Sequence, residues 1–148
     1  MVGVPVSRPG YHKITRPSPK VEKFLGALET QVMEYLWRTG AATVREVVEH
    51  LARTHPVAYN TVLTVMTRLT EKGLLTRERE ERGYRYQPAR SREEFLGEMS
   101  GRIVDDLLAD FGEVAIAQFL ARMERVAPDK LAALLKLARE RAEENDER

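Results

Sequence analysis

Cysteine is absent from the 148-residue sequence. That excludes disulfides, thiol catalysis, thiol redox sensing and cysteine-ligated zinc. No apolar run approaches the ~18 residues of a membrane span, and the N-terminus lacks the apolar core of a signal peptide, so a cytoplasmic protein is expected. Histidine is scarce, and His12, His50 and His55 fall in no metal-binding register. There is no glycine-rich phosphate loop, nucleophile motif or triad. Asp105, Asp106 and Asp110 could imitate a metal-nuclease cluster but fit better as the wet face of an amphipathic helix. Neither an enzyme nor a metal nor a cofactor is expected. With one Trp and four Phe, no aromatic-lined ligand pocket is evident.

What is present is the composition of a folded domain: 43% hydrophobic and 32% charged residues, enough to build a core. The net charge of +1 hides an asymmetry. Residues 1–20 carry four Lys/Arg and no acid, residues 21–90 eleven bases and nine acids, and residues 91–148 nine bases and fourteen acids. A basic front and an acidic back suggest that the front meets a polyanion.

Four prolines, Pro5, Pro9, Pro17 and Pro19, make residues 1–23 a disordered basic tail or an arm whose Arg8, Lys13, Arg16 and Lys20 could touch phosphate. A first helix is expected from about Gly26 to Thr39, with Gly40 as its stop. Thr43-Val44-Arg45-Glu46 is a capping box that opens a second helix with the stripe Val44, Val47, Val48, Leu51. The third helix, about Ala58 to Lys72, carries Val62, Val65, Met66 and Leu69 on one side. Strands at Leu74–Glu80 and Tyr84–Gln87, joined at Arg82-Gly83, form a hairpin. Ser91–Glu94 is a second capping box and starts a helix to about Phe111. Two more helices follow, about Glu113–Arg125 and Pro128–Glu144, before a fraying end. The fold class is therefore mainly α with a small β-hairpin wing: a winged helix-turn-helix over 24–90, followed by C-terminal helices over 91–148.

The solvent side of the third helix carries the functional signal. Asn60, Thr64 and Thr67 point away from the apolar stripe, flanked by Thr61 and Arg68, and no acid appears before Glu71. Tyr59 and Leu63 lie between the two faces. Short uncharged polar groups suit a helix lying in a major groove, because acids would be repelled by phosphates and bulky groups would hold the helix off the base edges. Asn60 can pair with adenine, the threonines can bond phosphate or meet a thymine methyl, and Arg68 can reach guanine or phosphate. In the hairpin, Arg77, Arg79, Arg82 and Arg85 can follow the sugar-phosphate backbone, partly offset by Glu78, Glu80 and Glu81. Tyr84 and Tyr86 share a face and fit packing on the helices better than stacking on bases.

Leu25-Gly26-Ala27-Leu28-Glu29, Val32–Trp37, Thr43–Val47 and above all Ala58–Leu69 with Lys72-Gly73-Leu74 resemble the penicillinase-repressor family, the BlaI/MecI/CopY group, over residues 24–125. The resemblance implies a winged-helix operator-binding repressor that works as a homodimer. It places Asn60, Thr61, Leu63, Thr64 and Arg68 on the recognition helix and residues 82–85 in the wing. Leu63 departs from relatives that carry a basic residue there. Two further departures concern induction. The cysteine cluster of copper-responsive members is missing. So is the Asn-Phe bond cleaved in β-lactam-responsive ones; the matching stretch is near Gly101-Arg102-Ile103. A sensor protease or another inducing partner stays open.

Dimerisation fits the last three helices. Leu96, Met99, Ile103, Leu107 and Phe111 line the first of them, followed by Phe119 and Leu120, then Leu131, Leu134 and Leu135. Three short helices cannot bury that much apolar surface alone, so a second copy should complete their core. The expected function is a sequence-specific regulator on double-stranded operator DNA. The alternative is a winged helix used for protein interaction or ligand sensing without operator specificity.

Overall fold

The computed structural model describes residues 20–147. The expected basic tail thus lies outside the described residues up to position 19, and its last three residues, Val21–Lys23, form a 3-10 turn that buries Val21. The chain falls into two compact units, one ending at Gly101 and one beginning again at Arg102.

The first unit holds α1 (Ala27–Thr39), β1 (Ala42–Thr43), α2 (Val44–Leu51), α3 (Tyr59–Glu71), β2 (Leu75–Glu80), β3 (Gly83–Pro88) and the start of α4 (Arg92–Phe111). Its core draws on the stripes expected for α2 and α3, of which Val48 and Val65 are only partly buried, and on one side of α1. Val32, Met33 and Leu36 from α1 meet Val44, Val47 and Leu51 from α2 and Val62, Met66 and Leu69 from α3, closed by Leu75 and Tyr86 of the sheet. The box at Thr43 is complete, since Glu46 N–H donates to Thr43 Oγ1 (3.2 Å) and Thr43 N–H to Glu46 Oε2 (3.0 Å). α3 ends in a Schellman turn. Leu74 N–H reaches Leu69 O (2.9 Å) and Gly73 N–H reaches Thr70 O (3.0 Å), with Gly73 at φ 79°. Only glycine takes that conformation without a Cβ penalty.

The sheet order is β1-β3-β2, antiparallel throughout. The hairpin β2–β3 is the expected wing. β1 is not foreseen in sequence: two residues are too few to show alternation, and the strand exists because Ala42 and Thr43 pair with Tyr86 and Arg85. That pairing hinges the root of the wing to the start of α2.

α4 begins on the first unit. Ser91 Oγ accepts from Glu94 N–H (3.1 Å), Trp37 Nε1 donates to Arg90 O (3.0 Å), and Arg92 pairs with Glu34 (2.9 Å). Phe95 is buried with Phe24 and Trp37, ring centroids 6.2 and 5.5 Å away. Phe95 lies off the stripe read from sequence, because its partners lie far back along the chain.

One titrating contact ties α1 to α2. The His50 ring stacks on Tyr35 at 4.2 Å, and Arg38 Nη2 lies 3.2 Å from His50 Nε2. Arginine only donates, so Nε2 must be the unprotonated acceptor. Burial, then Arg38 and Arg53, hold His50 below the ordinary imidazole value of 6.5. Below that value the unfolded chain takes up a proton that the folded one resists. This contribution to stability is therefore full above 6.5 and is lost as pH falls toward the lowered folded value. The urea midpoint should drop between pH 7.5 and 5.5 and drop less in His50→Gln; equal slopes would remove His50 as the cause.

In the second unit α4 runs on to Phe111, followed by α5 (Glu113–Val126) and α6 (Pro128–Asp146), with α5 and α6 packed as a pair. Pro128 opens α6, where its missing N–H costs nothing. α6 stays helical to Asp146, into the stretch expected to fray, since its last turns are rich in Glu, Arg and Ala, all good helix formers.

Candidate nucleic-acid interface

α3 is held by its buried stripe, and this fixes what it shows outward. Asn60, Thr61, Leu63, Thr64 and Arg68 are exposed; Thr67 is only half so. No acid occupies the first turn. Thr64 Oγ1 donates to Asn60 O at 2.9 Å. Its hydroxyl proton is thus committed, and what Thr64 offers outward is an oxygen lone pair and a methyl.

Three elements converge on a groove of about 570 Å³. α3 contributes Tyr59 and Leu63, the N-terminus of α2 contributes Thr43, Val44 and Arg45, and the wing contributes Glu80, Arg82, Gly83, Tyr84 and Tyr86. Tyr59 is 51% exposed, a large ring left beside the outward face of α3. Arg45 is missing from the residues singled out in sequence. The signal was there: a cation in a first helical turn opposes the helix dipole and needs another reason to stand there. Its contact with Glu49, 3.7 Å between two exposed side chains, is worth little.

The hairpin register sorts the wing cations. Arg77 lies opposite Tyr86 and Arg79 opposite Tyr84, so both share a face with the tyrosines. The Arg77 guanidinium sits 4.2 Å from the Tyr84 ring centroid. Tyr86 is buried, as expected, whereas Tyr84 remains partly open. Arg82, in the turn, is exposed and forms no ion pair among the described residues. Arg85 is placed differently. Its Nε donates to Glu80 Oε1 (2.6 Å) and its Nη1 to Glu46 Oε2 (3.3 Å), and these two carboxylates hold its guanidinium above its ordinary value. The Thr43 N–H is the main cause that holds the Glu46 carboxyl below its ordinary range; burial opposes it, and Arg85 lowers it further.

The penicillinase repressor family model matches residues 25–140. The transcriptional regulator BlaI of Mycobacterium tuberculosis is 41% identical over 115 residues, covering 74% of this chain and 79% of that protein. The chain belongs to the penicillinase repressor family. Solved structures similar to it include the DNA-binding domain of the repressor BlaI (26% identity, 52% of this chain and 93% of that one, TM-score 0.44). Another is the monomeric form of Bacillus licheniformis BlaI with the blaP half-operator (26% identity, 51% and 88%, TM-score 0.41). The family is one of DNA-binding transcriptional repressors and not of enzymes.

In this chain the residues singled out for dimerisation separate into two groups. Ile103, Leu107, Phe111, Phe119, Leu120, Leu134 and Leu135 are exposed on the single chain. Leu131 is buried within its own protomer, 8% exposed, as is Met123. Among the described residues, no three His, Asp or Glu side chains come together to hold a metal ion, and no helix is long and apolar enough to cross a membrane.

Proposed function

We propose that this member of the family works in the cytoplasm as a homodimer that reads a pseudo-palindromic operator. α3 lies in the major groove, and Arg45 and Arg82 touch the flanking phosphates. The observation that carries this reading is the exposed, acid-free face of α3, built from Asn60, Thr61, Thr64 and Arg68, on a helix whose Tyr59 and Leu63 line a groove together with the exposed Arg45 and Arg82. One such helix reads only a few base pairs. Two helices fixed by a dimer read half-sites about 34–36 Å apart, or a multiple of that spacing. Repression then needs only occupancy, because a dimer over promoter DNA excludes polymerase. Release follows from whatever lowers its affinity, a sensor protease or another inducing partner being the candidates.

The test is binding to DNA upstream of its own gene over a salt series, with single-base changes in the protected site. Asn60→Ala or Thr64→Ala should relax discrimination at one base pair by about 1–3 kcal/mol. Arg82→Ala should weaken all sequences alike and flatten the salt dependence by about one unit of slope. A flat salt response with no sequence preference would instead point to a protein-interaction module.

A further inference from the structure

The family resemblance groups Arg85 with the wing residues that meet DNA, but its surroundings argue for another task. Its guanidinium spans two carboxylates on separate elements, Glu80 beside the wing turn and Glu46 in the first turn of α2. The Glu46 oxygen that receives Arg85, Oε2, also receives the backbone N–H of Thr43. Thr43 in turn sits directly across from Arg85 in the β1–β3 pairing. A continuous chain of bonds thus runs from the cap of α2 through Arg85 to the end of β2. A guanidinium held by two acids offers a phosphate little uncompensated charge, whereas its rigid fork is well suited to fixing an angle between two elements.

We propose that Arg85 is a positioning residue: with Glu46 and Glu80 it fixes the wing relative to the start of α2, so that Arg82 on the wing and Arg45 on α2 face the same stretch of DNA backbone. The idea rests on the proposed operator reading, and it assigns Arg85 an effect on binding that passes through Arg82. A wing without this brace keeps its β pairing but loses the fixed direction of its tip. Glu46→Gln preserves the cap, since glutamine serves equally in a capping box, and removes only the charge that holds Arg85.

The experiment is a cycle of Arg82→Ala, Arg85→Gln and the double variant on operator fragments, beside amide relaxation of residues 81–84 in the DNA-free proteins. Arg85→Gln should weaken binding roughly threefold or more in the parent and have no further effect in the Arg82→Ala background. Without DNA, Arg85→Gln and Glu80→Gln should both raise fast motion of the wing-tip amides. Additive losses would show that Arg85 touches DNA itself and overturn the proposal; so would an unchanged wing tip, or full affinity in Arg85→Gln. If Arg82→Ala alone leaves binding intact, the assignment of Arg82 under the operator reading fails. The relaxation data still decide whether the brace exists. Should Arg85→Gln not fold, Glu46→Gln and Glu80→Gln carry the relaxation arm.

Discussion

Phe111→Asp is expected to give a folded chain that sediments as a monomer and binds its full operator about 10²–10⁴-fold more weakly, while single half-site binding stays near that of the parent. Phe111 is 60% exposed and Phe119 56% exposed on the isolated protomer. A carboxylate there disturbs little within one chain. Between two chains it is buried without a partner, at a cost of several kcal/mol. Obligate homodimer interfaces have this apolar character, and aromatic side chains dominate their energetics. Loss of dimerisation turns one event of two linked contacts into two separate ones, and the effective concentration supplied by the partner half-site disappears. Sedimentation velocity with titrations on full and half operators would measure this. A variant that remains dimeric, or a monomer with parental affinity for the full site, would end the case for the α4–α6 surface.

Leu69→Ala should cost about 2–5 kcal/mol of stability, read as a lower denaturant midpoint. Leu69 is fully buried against the α1 and α2 stripes and also anchors the Schellman turn through its carbonyl. The deletion leaves a cavity that the packed helices can close only in part. Asn60→Ala on the opposite side of the same helix should change stability by no more than ~0.5 kcal/mol while relaxing base preference. If Leu69→Ala behaved like a surface change, the core assignment of α3 would be wrong.

The same two faces explain why so much was legible beforehand. Val62, Met66 and Leu69 follow the helical period, and Thr43 with Glu46 is a local signature, so α2 and α3 could be placed from neighbours in sequence alone. The outward face followed by geometry, and Asn60, Thr61, Thr64 and Arg68 are exposed as expected. β1 was not legible, because its two residues become a strand only by meeting β3. Phe95 was missed because its ring partners stand at positions 24 and 37. The surroundings of Arg85 were hidden for the same reason: Glu46 is 39 residues away, and no periodicity connects them. Leu131 looked like its neighbours Leu134 and Leu135 on one helical face, and only the packing of α5 on α6 separates it from them.

The committed hydroxyl of Thr64 has a consequence for how the surface docks. A side chain already tied to Asn60 O gives up little rotational freedom when another molecule covers it, and asparagine and threonine have few rotors to begin with. Freezing a long flexible side chain costs about 0.5–1.5 kcal/mol, so the entropic burden of complex formation falls on Arg45, Arg68 and Arg82. The central face arrives nearly rigid and can select by shape, while the arginines around it adapt.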